Sequence, residues 1–499
     1  MYKYIFFLLI TSSSLLSQSN RGNVWILGTN TSPTPKTGTS LIFNHDSLRI
    51  VSIEKEMDMY VCNSSICDEQ GNLMFYTNGC NVANYNHDTI PGGESVIPGQ
   101  WTDIGYCDQS GYARQQSALA LPLPCNDDLY HLFILDFFVD IAINSPWSVA
   151  TGLLHNVIDM SANDDNGQVI INNEYVFQDT LKMGAMTAAR HANGRDWWIL
   201  VQEFNSDCFY SVLLNEHGPQ QPVKSCTGFQ WEDTNSGGVA KFSPDGFYYI
   251  LSLENEDMSI FSFDNQTGHL NYMEQVEFNE ANSRDGVGLS ISSNSQFIYI
   301  SAGTELYQYD LYSDDISQSK TIVAIWDGFM NPQKTTFSRS FLGPDEKIYI
   351  SSSGSTLNLH VIEDPNQKGE ACNVTQHSID LFSLNVASLP NHPYFGPEPD
   401  DGPCDSLLLV DSTFELDWEE PSIKIYPNPV ESIIKVELDN SRFVKSIEIR
   451  ELTGQVVLYT QVHEHTSQLQ LDMSRYPSGL YFVSIHTDKG AVVKKVVVE

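Results

Sequence analysis

Hydrophobic and polar residues alternate along most of this chain in short runs, each bounded by a polar turn. Alternation with a period of two is the pattern of a half-buried β-strand. The chain shows no sustained apolar pattern at the spacing of an amphipathic helix. Aromatic residues, which favour sheets, make up 11% of it. The pattern predicts an all-β protein.

One turn followed by one strand recurs along the chain. Its clearest copy is FSPDGFYYILS (Phe242–Ser252), in which Ser-Pro-Asp-Gly turns the chain and an aromatic, β-branched strand follows. Proline presets φ, aspartate bonds to the backbone two residues on, and glycine accepts a positive φ. Five looser copies are Gly71–Thr77, Asn126–Leu135, Asn193–Val201, Asn294–Ser301 and Pro344–Ser351.

The spacing of these turns indicates the architecture. The last three intervals, between Asn193 and Asp345, are 52, 49 and 51 residues, and the two earlier ones are 54 and 67. A repeat of about 50 residues filled with short strands is the size of one β-propeller blade. Six turns predict at least six blades. The end pieces Asn23–Gly28, Ser40–Phe43 and Ser388–Phe395 would share a seventh, so we expect seven blades, with six as the alternative.

The composition changes after the last repeat. Residues 397–421 are rich in proline and acid and predict a linker. From Ile423 to Glu499, short strands recur every 8 to 12 residues or so, which is typical of a small immunoglobulin-like β-sandwich. Nine basic and nine acidic residues leave this part neutral, so the net charge of -37 lies before it. We expect a propeller over residues 20–396 and a sandwich over residues 422–499.

The first residues indicate export. Residues 1–19 predict a signal peptide, because Lys3 precedes an apolar run and Ser17 or Ser19 offers a small residue for cleavage. That run is too short to span a bilayer, and we expect no membrane-spanning segment. The strong negative charge would be repelled by phosphate backbones, so we expect no nucleic-acid partner.

Nine cysteines fit an exported chain that keeps disulfides. The odd count leaves at least one thiol unpaired or partnered elsewhere, and the pairing stays open. No CxxC pair exists, so a thiolate metal site is not expected.

Four motifs stand in order at the end of the chain: Tyr426–Pro429, Glu451–Val456, Tyr476–Val483 and Lys494–Val498. Together they resemble the C-terminal sorting domain of the type IX secretion system of Bacteroidetes. The resemblance implies that the type IX machinery is a partner, and that the protein passes through the periplasm to the medium or the outer-membrane surface. The motif residues are Pro427, Asn428, Pro429, Gly454, Gly479, Tyr481, Lys494 and Lys495.

The earlier part resembles secreted propeller proteins of the same bacteria, some of them gliding-associated. The shared pieces are Trp25–Gly28, Asp68–Gly79, His191–Gly194 and Ser388–Asn391. These pieces form turns and strands, so the resemblance implies a fold and export but no activity.

Motifs of catalysis are missing from the sequence. It contains no GxSxG, HExxH or P-loop, so we expect no enzyme, no catalytic residue and no cofactor. Aspartates in turns could bind Ca²⁺ weakly, but such aspartates usually hold the turn itself. The aspartates concerned are Asp245, Asp264, Asp285, Asp345 and Asp364.

Two further groups have a structural and a functional interpretation. His191 could donate a proton at a channel mouth, or it could bond locally in its turn. Some aromatic side chains could stack on sugar rings at a rim, or they could pack in the core. These are Trp197, Trp198, Trp231, Trp326 and Tyr106.

Our leading hypothesis is a secreted or cell-surface, non-catalytic propeller that binds a protein or polysaccharide on its face or rim. One alternative is a polysaccharide hydrolase or lyase, which needs two carboxylates facing each other in the propeller channel. Another is an adhesion or gliding-associated structural component. The charges along the channel distinguish the first two hypotheses.

Overall fold

The computed structural model describes residues 19–29, 36–44, 47–98, 107, 110–112, 114–139, 148–229, 238–253, 257–276, 287–396, 423–430, 432–438, 444–451, 456–461, 468–487 and 490–498. The chain divides into two compact units, Met1–Ser406 and Leu407–Glu499. The predicted signal peptide, apart from Ser19, and the predicted linker at 397–421 lie outside the described residues.

The described part of the first unit forms seven antiparallel sheets, each built from consecutive strands. The first three sheets have these strands: β1 (Val24–Leu27), β2 (Lys36–Asn44) and β3 (Ser47–Lys55); β4 (Ser64–Cys67), β5 (Leu73–Thr77) and β6 (Val82–Asn84); β7 (Ala118–Pro122), β8 (Leu129–Val139), β9 (Ser148–Asp159), β10 (Gln168–Phe177) and β11 (Leu181–Lys182).

The other four sheets have these strands: β12 (Thr187–Arg190), β13 (Trp197–Gln202), β14 (Cys208–Asn215), β15 (Gly218–Pro219) and β16 (Val223–Cys226); β17 (Gly238–Phe242), β18 (Tyr248–Leu253), β19 (Met258–Asp264) and β20 (His269–Val276); β21 (Gly288–Ile291), β22 (Phe297–Ala302), β23 (Glu305–Asp310) and β24 (Thr321–Ile325); β25 (Ser340–Leu342), β26 (Ile348–Ile350), β27 (Thr356–Ile362) and β28 (Val374–Asn385).

Helical structure in the described residues is confined to single turns. These are Ala162–Asp165, whose middle residues have left-handed backbone angles, and two 3₁₀ turns at Ser317–Ser319 and Gly369–Cys372. The all-β prediction is confirmed.

The six predicted turns each join the first and second strands of a sheet, from the second sheet to the seventh. In the turn after β17, the Ser243 hydroxyl donates to Asp245 Oδ1 at 2.5 Å, and the same oxygen accepts the Phe247 N–H at 3.1 Å. Gly246 has a φ of +75°. Serine and aspartate therefore hold the turn, and glycine permits its backbone angle.

The turn after β21 repeats these bonds with other residues. The Ser292 hydroxyl donates to Asn294 Oδ1 at 2.6 Å, and Ser295 takes a φ of +62° where the earlier turn has glycine. The two turns thus have the same hydrogen bonds and a positive φ at the same position with different residues. This explains why the copies of the turn share little sequence.

The first strands of consecutive sheets pack against one another, as β17 does with β12 and β21. Space between them is small: a Cβ on Gly288 would lie 2.0 Å from the Ser338 carbonyl oxygen. The seventh sheet also contacts the first, because β28 lies against β2 and β3. There the Trp25 ring centroid is 5.4 Å from that of Tyr349 and 5.9 Å from that of Phe341.

The expectation that both chain ends share one sheet is wrong. Among the described residues, the first sheet consists of β1, β2 and β3, all N-terminal, and residues 388–395 contain no strand. The backbone of that segment instead bonds to other sheets, as described below.

The second unit has two sheets in its described residues, with a common buried core that includes Val436, Ile449, Val483 and Val496. One sheet is β29 (Ile423–Tyr426), β30 (Ile433–Leu438) and β33 (Gln468–Asp472). The other is β31 (Val444–Glu451), β32 (Val456–Gln461), β34 (Gly479–Thr487) and β35 (Gly490–Val498).

Disulfides join Cys80 to Cys107 and Cys208 to Cys226, and Cys125 is disulfide-bonded as well. Cysteines 62, 67 and 372 are free and buried. Because the Cys208 and Cys226 sulfurs are bonded to each other, the group they form with Asp207 offers no thiolate to a metal. Helices of the described residues are all too short or too polar for a membrane crossing.

Candidate functional site

Residues 386–396, which follow the seventh sheet, form an irregular segment buried inside the first unit. The side chains of Asn391, His392 and Phe395 are each no more than 5% exposed. A buried segment without strand pairing needs other hydrogen-bond partners for its backbone N–H and C=O groups. Here side chains and backbone groups of several sheets are these partners.

Asn391 connects three sheets. Its side-chain amide donates to the carbonyl oxygens of Ala118 at 3.0 Å and Met186 at 3.1 Å. Its backbone N–H donates to the Asn63 carbonyl at 2.7 Å, and its carbonyl accepts the Ser64 hydroxyl at 2.9 Å. One residue thereby holds the starts of the second, third and fourth sheets together.

Gln116 extends this network to the fifth sheet. Its side-chain amide donates to the Ala240 carbonyl at 2.8 Å and accepts the Ala240 N–H at 2.9 Å, as a strand partner would. The same amide nitrogen lies 3.3 Å from Asn391 Oδ1. The neutral side-chain amides of Gln116 and Asn391 therefore provide hydrogen-bond partners for backbone groups in this buried region.

His392 joins the same segment to the first and seventh sheets. Its ring centroid lies 4.5 Å from that of Phe341 and 6.1 Å from that of Trp25. Its Nδ1 is 2.9 Å from the Pro393 carbonyl oxygen. Burial lowers the pKa of His392 to about 4, so the ring is neutral at pH 7 and Nδ1 carries the hydrogen that Pro393 accepts.

Lys241 lines two of the small cavities beside this segment. The second also includes Arg339, while neither has an aspartate or glutamate among its described lining residues. The Lys241 ammonium lies 3.4 Å from the centroid of the Phe341 ring. Burial holds the pKa of Lys241 well below its usual range.

Two of the predicted aromatic candidates belong to the core. Trp197 is 1% exposed and lies under the Arg190 guanidinium at 4.1 Å. Trp198 is 4% exposed, and its Nε1–H donates to the Asn265 carbonyl at 2.8 Å. Neither can stack on a sugar at a rim. Trp231 and Tyr106 lie outside the described residues.

Trp326 alone of these candidates lies at a described surface, where it is half-buried beside exposed apolar side chains. Its Nε1–H is shared between the Phe329 carbonyl and the Thr335 hydroxyl, each at 3.2 Å. Phe329 stacks on His377 with ring centroids 4.1 Å apart. We call the group Ile325, Trp326, Phe329, Met330 and His377 the rim patch.

His191 makes one bond within its own turn and one to a turn of the fifth sheet. Its Nδ1 accepts the Asn193 N–H at 3.0 Å, and its Nε2 is 3.2 Å from the Gln266 carbonyl oxygen. Among the aspartates, Asp264 accepts hydrogen bonds from its own turn, and Asp345 accepts the Tyr349 hydroxyl at 2.8 Å. Asp364 accepts from Asn373, while Asp285 lies outside the described residues.

In the second unit, Asn428 connects the first motif of the unit to its last strand. Its side chain donates to the Lys495 carbonyl at 2.9 Å and accepts the Val497 N–H at 2.8 Å. The flanking Pro427 and Pro429 follow cis peptide bonds and are exposed. Asn428 thus binds β35 through both the nitrogen and the oxygen of its side-chain amide.

The other motif residues lie in or near the second sheet. Tyr481 is 3% exposed, and its hydroxyl donates to the Pro477 carbonyl at 2.9 Å. Gly479 begins β34 and faces Val498 across the sheet. Lys494 and Lys495 are exposed on β35. Gly454 lies outside the described residues.

Sequence reasoning missed Lys241, Gln116 and the role of Asn391. Lys241 appears in the sequence as an ordinary polar position in an alternating strand. Asn391 belongs to Ser388–Asn391, one of the pieces shared with secreted propeller proteins. Its position after a proline in an apolar stretch is the sequence feature that could have indicated a buried polar residue.

Residues 424–499 match the family described as "Secretion system C-terminal sorting domain". The resemblance drawn from the four motifs is confirmed. The C-terminal unit is a type IX sorting domain, so the protein is exported to the cell surface or the medium, and this unit interacts with the secretion machinery. No curated protein matches the chain.

Several solved structures are similar to this chain at low identity. A candidate 6-phosphogluconolactonase from Bacteroides fragilis is 12% identical with a TM-score of 0.41, covering 76% of this chain and 98% of its own. A periplasmic gluconolactonase from Pseudomonas aeruginosa is 12% identical with a TM-score of 0.40, at 74% and 97% coverage. The β-propeller domain of Cps50 from Myceliophteria thermophila is 10% identical with a TM-score of 0.33, at 67% and 96% coverage. At this level of likeness, their activities say nothing about this chain.

Proposed function

We propose that the first unit is a seven-bladed, non-catalytic propeller that binds a partner at its outer edge, and that the second is an immunoglobulin-like sandwich that exports it. Each of the seven sheets is one blade in this proposal. The contact between β28 and the first sheet supports closure of the ring, since it leaves neither end sheet without a neighbour.

The observation that carries the non-catalytic part is the position of residues 386–396. A propeller commonly places ligands in the channel between its first strands. In this chain Asn391 bonds to the starts of three sheets, and His392 packs on two more, which supports a channel occupied by the protein's own segment. A channel occupied in this way would leave a polymer no passage.

The charges near this segment also disfavour a hydrolase. A glycosidase needs two carboxyl groups on either side of the scissile bond, about 5 to 10 Å apart. Described residues lining the two cavities beside the segment include Lys241 and Arg339 but no carboxylate. The described lining of these cavities therefore holds no pair of carboxyl groups that could serve as that acid and base.

The rim patch is the best-supported surface for a partner. Ile325 is 60% exposed at the end of the outermost strand of the sixth sheet, and Met330 is 54% exposed in the connection from the sixth sheet to the seventh. Exposed apolar side chains beside tryptophan are typical of protein-binding hot spots. The most exposed side chains of the patch, Ile325 and Met330, offer little to a sugar ring, while Trp326 is half-buried and Phe329 already stacks on His377, so a protein partner fits the patch better than a polysaccharide does.

Pull-down from the cell surface with the full-length protein tests this proposal. We expect the wild-type protein to retain a partner and the double variant Ile325→Ser/Met330→Ser to lose at least about tenfold in retention, because two apolar anchors are removed. A glycan array run in parallel tests the polysaccharide alternative.

Phe247→Ser is the matched control, since Phe247 is 55% exposed in a turn of the fifth sheet. The control should retain the partner. Equal retention by the rim-patch variant and the control would contradict the proposed surface, and silence in both assays with normal display would favour a structural component.

A further inference from the structure

A cleft lies between the first and second sheets of the first unit. These two sheets have three strands each in the described residues, whereas the other five have four or five. The cleft has a volume of about 500 Å³. Protein pockets that hold small molecules have volumes of about 300–1,000 Å³. The cleft is therefore large enough for a small organic ligand.

One face of the first sheet forms one wall of the cleft. Side chains at alternate positions of a strand point to the same face of a sheet. The register places Ile42 opposite Arg49 and Ser40 opposite Val51. The full wall is Val24 from β1, Ser40 and Ile42 from β2, and Arg49, Val51 and Ile53 from β3. This wall crosses three strands and does not follow a strand edge, so it suits a small molecule better than a peptide that pairs with backbone groups.

The second sheet supplies the opposite wall, through residues 71–74, Tyr85 and His87. Ile42, Ile53 and Leu73 pack on the buried cluster that the two sheets share. These three side chains are themselves half-buried, as is Met74. Aliphatic side chains therefore make up much of the lining.

Aromatic rings fill the equivalent place between the fourth and fifth sheets. There the ring centroid of Phe209, on β14, lies 5.3 Å from that of Phe261 and 5.8 Å from that of Tyr249. Each close contact between carbon atoms adds a small dispersion attraction. An apolar ligand in the cleft would give the first two sheets contacts that rings give the fourth and fifth.

Arg49 supplies a positive charge to the cleft. It is exposed, and no described residue forms a hydrogen bond or an ion pair with its guanidinium. The described lining contains no aspartate or glutamate, although the chain has 63 acidic residues against 26 basic ones. Burial, with the nearby charge of Lys55, lowers the pKa of His87, so this ring is neutral at pH 7. The charge of the lining therefore favours a ligand with one anionic group.

The strand register gives the length of the apolar part. Arg49 and Ile53 are four residues apart on β3, which corresponds to about 13 Å along a strand. An extended alkyl chain advances about 1.3 Å per carbon atom, given the length of a C–C bond. A chain of about ten carbon atoms would therefore reach from Arg49 to Ile53.

We propose that this cleft binds a medium-chain fatty acid, with its carboxylate on the Arg49 guanidinium and its alkyl chain along Val51 and Ile53. A guanidinium can donate two parallel hydrogen bonds to a carboxylate, and the aliphatic walls remove the chain from water. The cleft belongs to the first two sheets and the rim patch to the sixth and seventh, so either can fail without the other.

Calorimetric titration of the full-length protein with decanoate and hexanoate tests the site. We expect decanoate to bind, and hexanoate to bind at least about tenfold more weakly because it buries fewer methylene groups. Arg49→Gln should weaken decanoate binding by about tenfold, because charge-assisted hydrogen bonds are lost. Arg475→Gln, at an exposed arginine of the second unit, is the control and should bind as the wild type does.

A second pair of variants tests the apolar part. Val51→Trp places a large ring in the middle of the cleft and should weaken decanoate binding by at least about tenfold, because the alkyl chain loses its space. Ser52→Trp is the control, since Ser52 is exposed on the opposite face of the same strand. This variant should bind decanoate as the wild type does.

Photo-crosslinking on the wild-type protein covers the case in which Val51→Trp does not fold. A decanoic acid that carries a diazirine on its chain should label peptides that contain residues 49–53 or 73–87, as mass spectrometry would show. Label confined to the rim patch would overturn the proposal. So would an absence of decanoate binding, or equal binding by the wild type and Arg49→Gln.

Discussion

Two asparagine side chains hold the last segments of the two compact units, under opposite conditions. Asn391 is 4% exposed and bonds to backbone groups that belong to different sheets. Asn428 is exposed and bonds to one strand, β35. A polar group left unpaired in a buried place costs far more than one that water can reach. The first unit should therefore depend on its asparagine for folding, and the second only for the position of its last strand.

The units also differ in charge and in task. The whole net charge of -37 lies before Ile423, while the sorting domain is neutral. Each unit has its own buried core. Folding and export should therefore be separable.

Deletion of Ile423–Glu499 gives the largest expected effect. Export should be abolished, while the remaining chain keeps its cooperative thermal unfolding, because its core contains no residue from the deleted part. Immunoblots of cell fractions and medium measure export, with the full-length protein as control. Release of the truncated chain at wild-type levels would show that the sorting signal lies elsewhere.

Asn391→Ala should lower the free energy of unfolding by about 3–5 kcal/mol, because the Ala118 and Met186 carbonyls and the Gln116 amide lose a buried partner. Urea unfolding of the full-length protein measures this. Asn72→Ala, at an exposed asparagine bonded only to Asp68 in its turn, is the control and should cost less than about 1 kcal/mol. A similar loss of stability in Asn391→Ala and Asn72→Ala would show that burial of Asn391 adds nothing to its contribution.

The sequence predicted the repeated turns but not what lies between the sheets. Alternation and turn residues such as Ser243 and Gly246 act within a few positions, so a single sequence shows them. Asn391 reaches Met186 across 205 residues, and its segment has no periodic pattern. Nothing local distinguishes such a segment from an edge strand, which explains the wrong expectation of a shared sheet.

The sequence predicted the role of the sorting domain but no activity for the propeller, because the sorting motifs are local pieces in a fixed order. Even there, the contact of Asn428 with β35 could not be foreseen from a spacing of 67 residues. Lys241 gave no signal for the same reason, because its contact with Phe341 joins strands that are far apart in the sequence.

Acid should destabilise the first unit through its buried histidines. His131 is 4% exposed and stacks on His155, and burial, with the His155 charge, lowers its pKa to about 3. The unfolded chain, with a histidine pKa near 6.5, then binds more protons, so stability is complete above pH 6.5 and falls toward pH 3. The loss is about 1.4 kcal/mol per pH unit for one such histidine.

His131→Phe should therefore lose about 2 kcal/mol less than the wild type between pH 6.5 and 5. Urea unfolding at the two pH values gives the difference. His217→Phe is the control, because the His217 side chain is 79% exposed. If His131→Phe and His217→Phe showed the same acid dependence, the buried pair would not be the source of the sensitivity.

Asn428→Ala should have the smallest effect on stability, about 1 kcal/mol, since water can replace both of its bonds. Its effect on β35 should be clear all the same. The Val497 N–H loses its acceptor, so its hydrogen exchange should become faster, while amides inside the β31–β34 pair stay protected. Lys494→Ala, at an exposed position on the same strand, should leave Val497 unchanged. Export of the Asn428 variant then decides what the contact is for: reduced export with a stable domain means that the machinery needs β35 in this position, whereas normal export with fast exchange at Val497 would confine Asn428 to local stability.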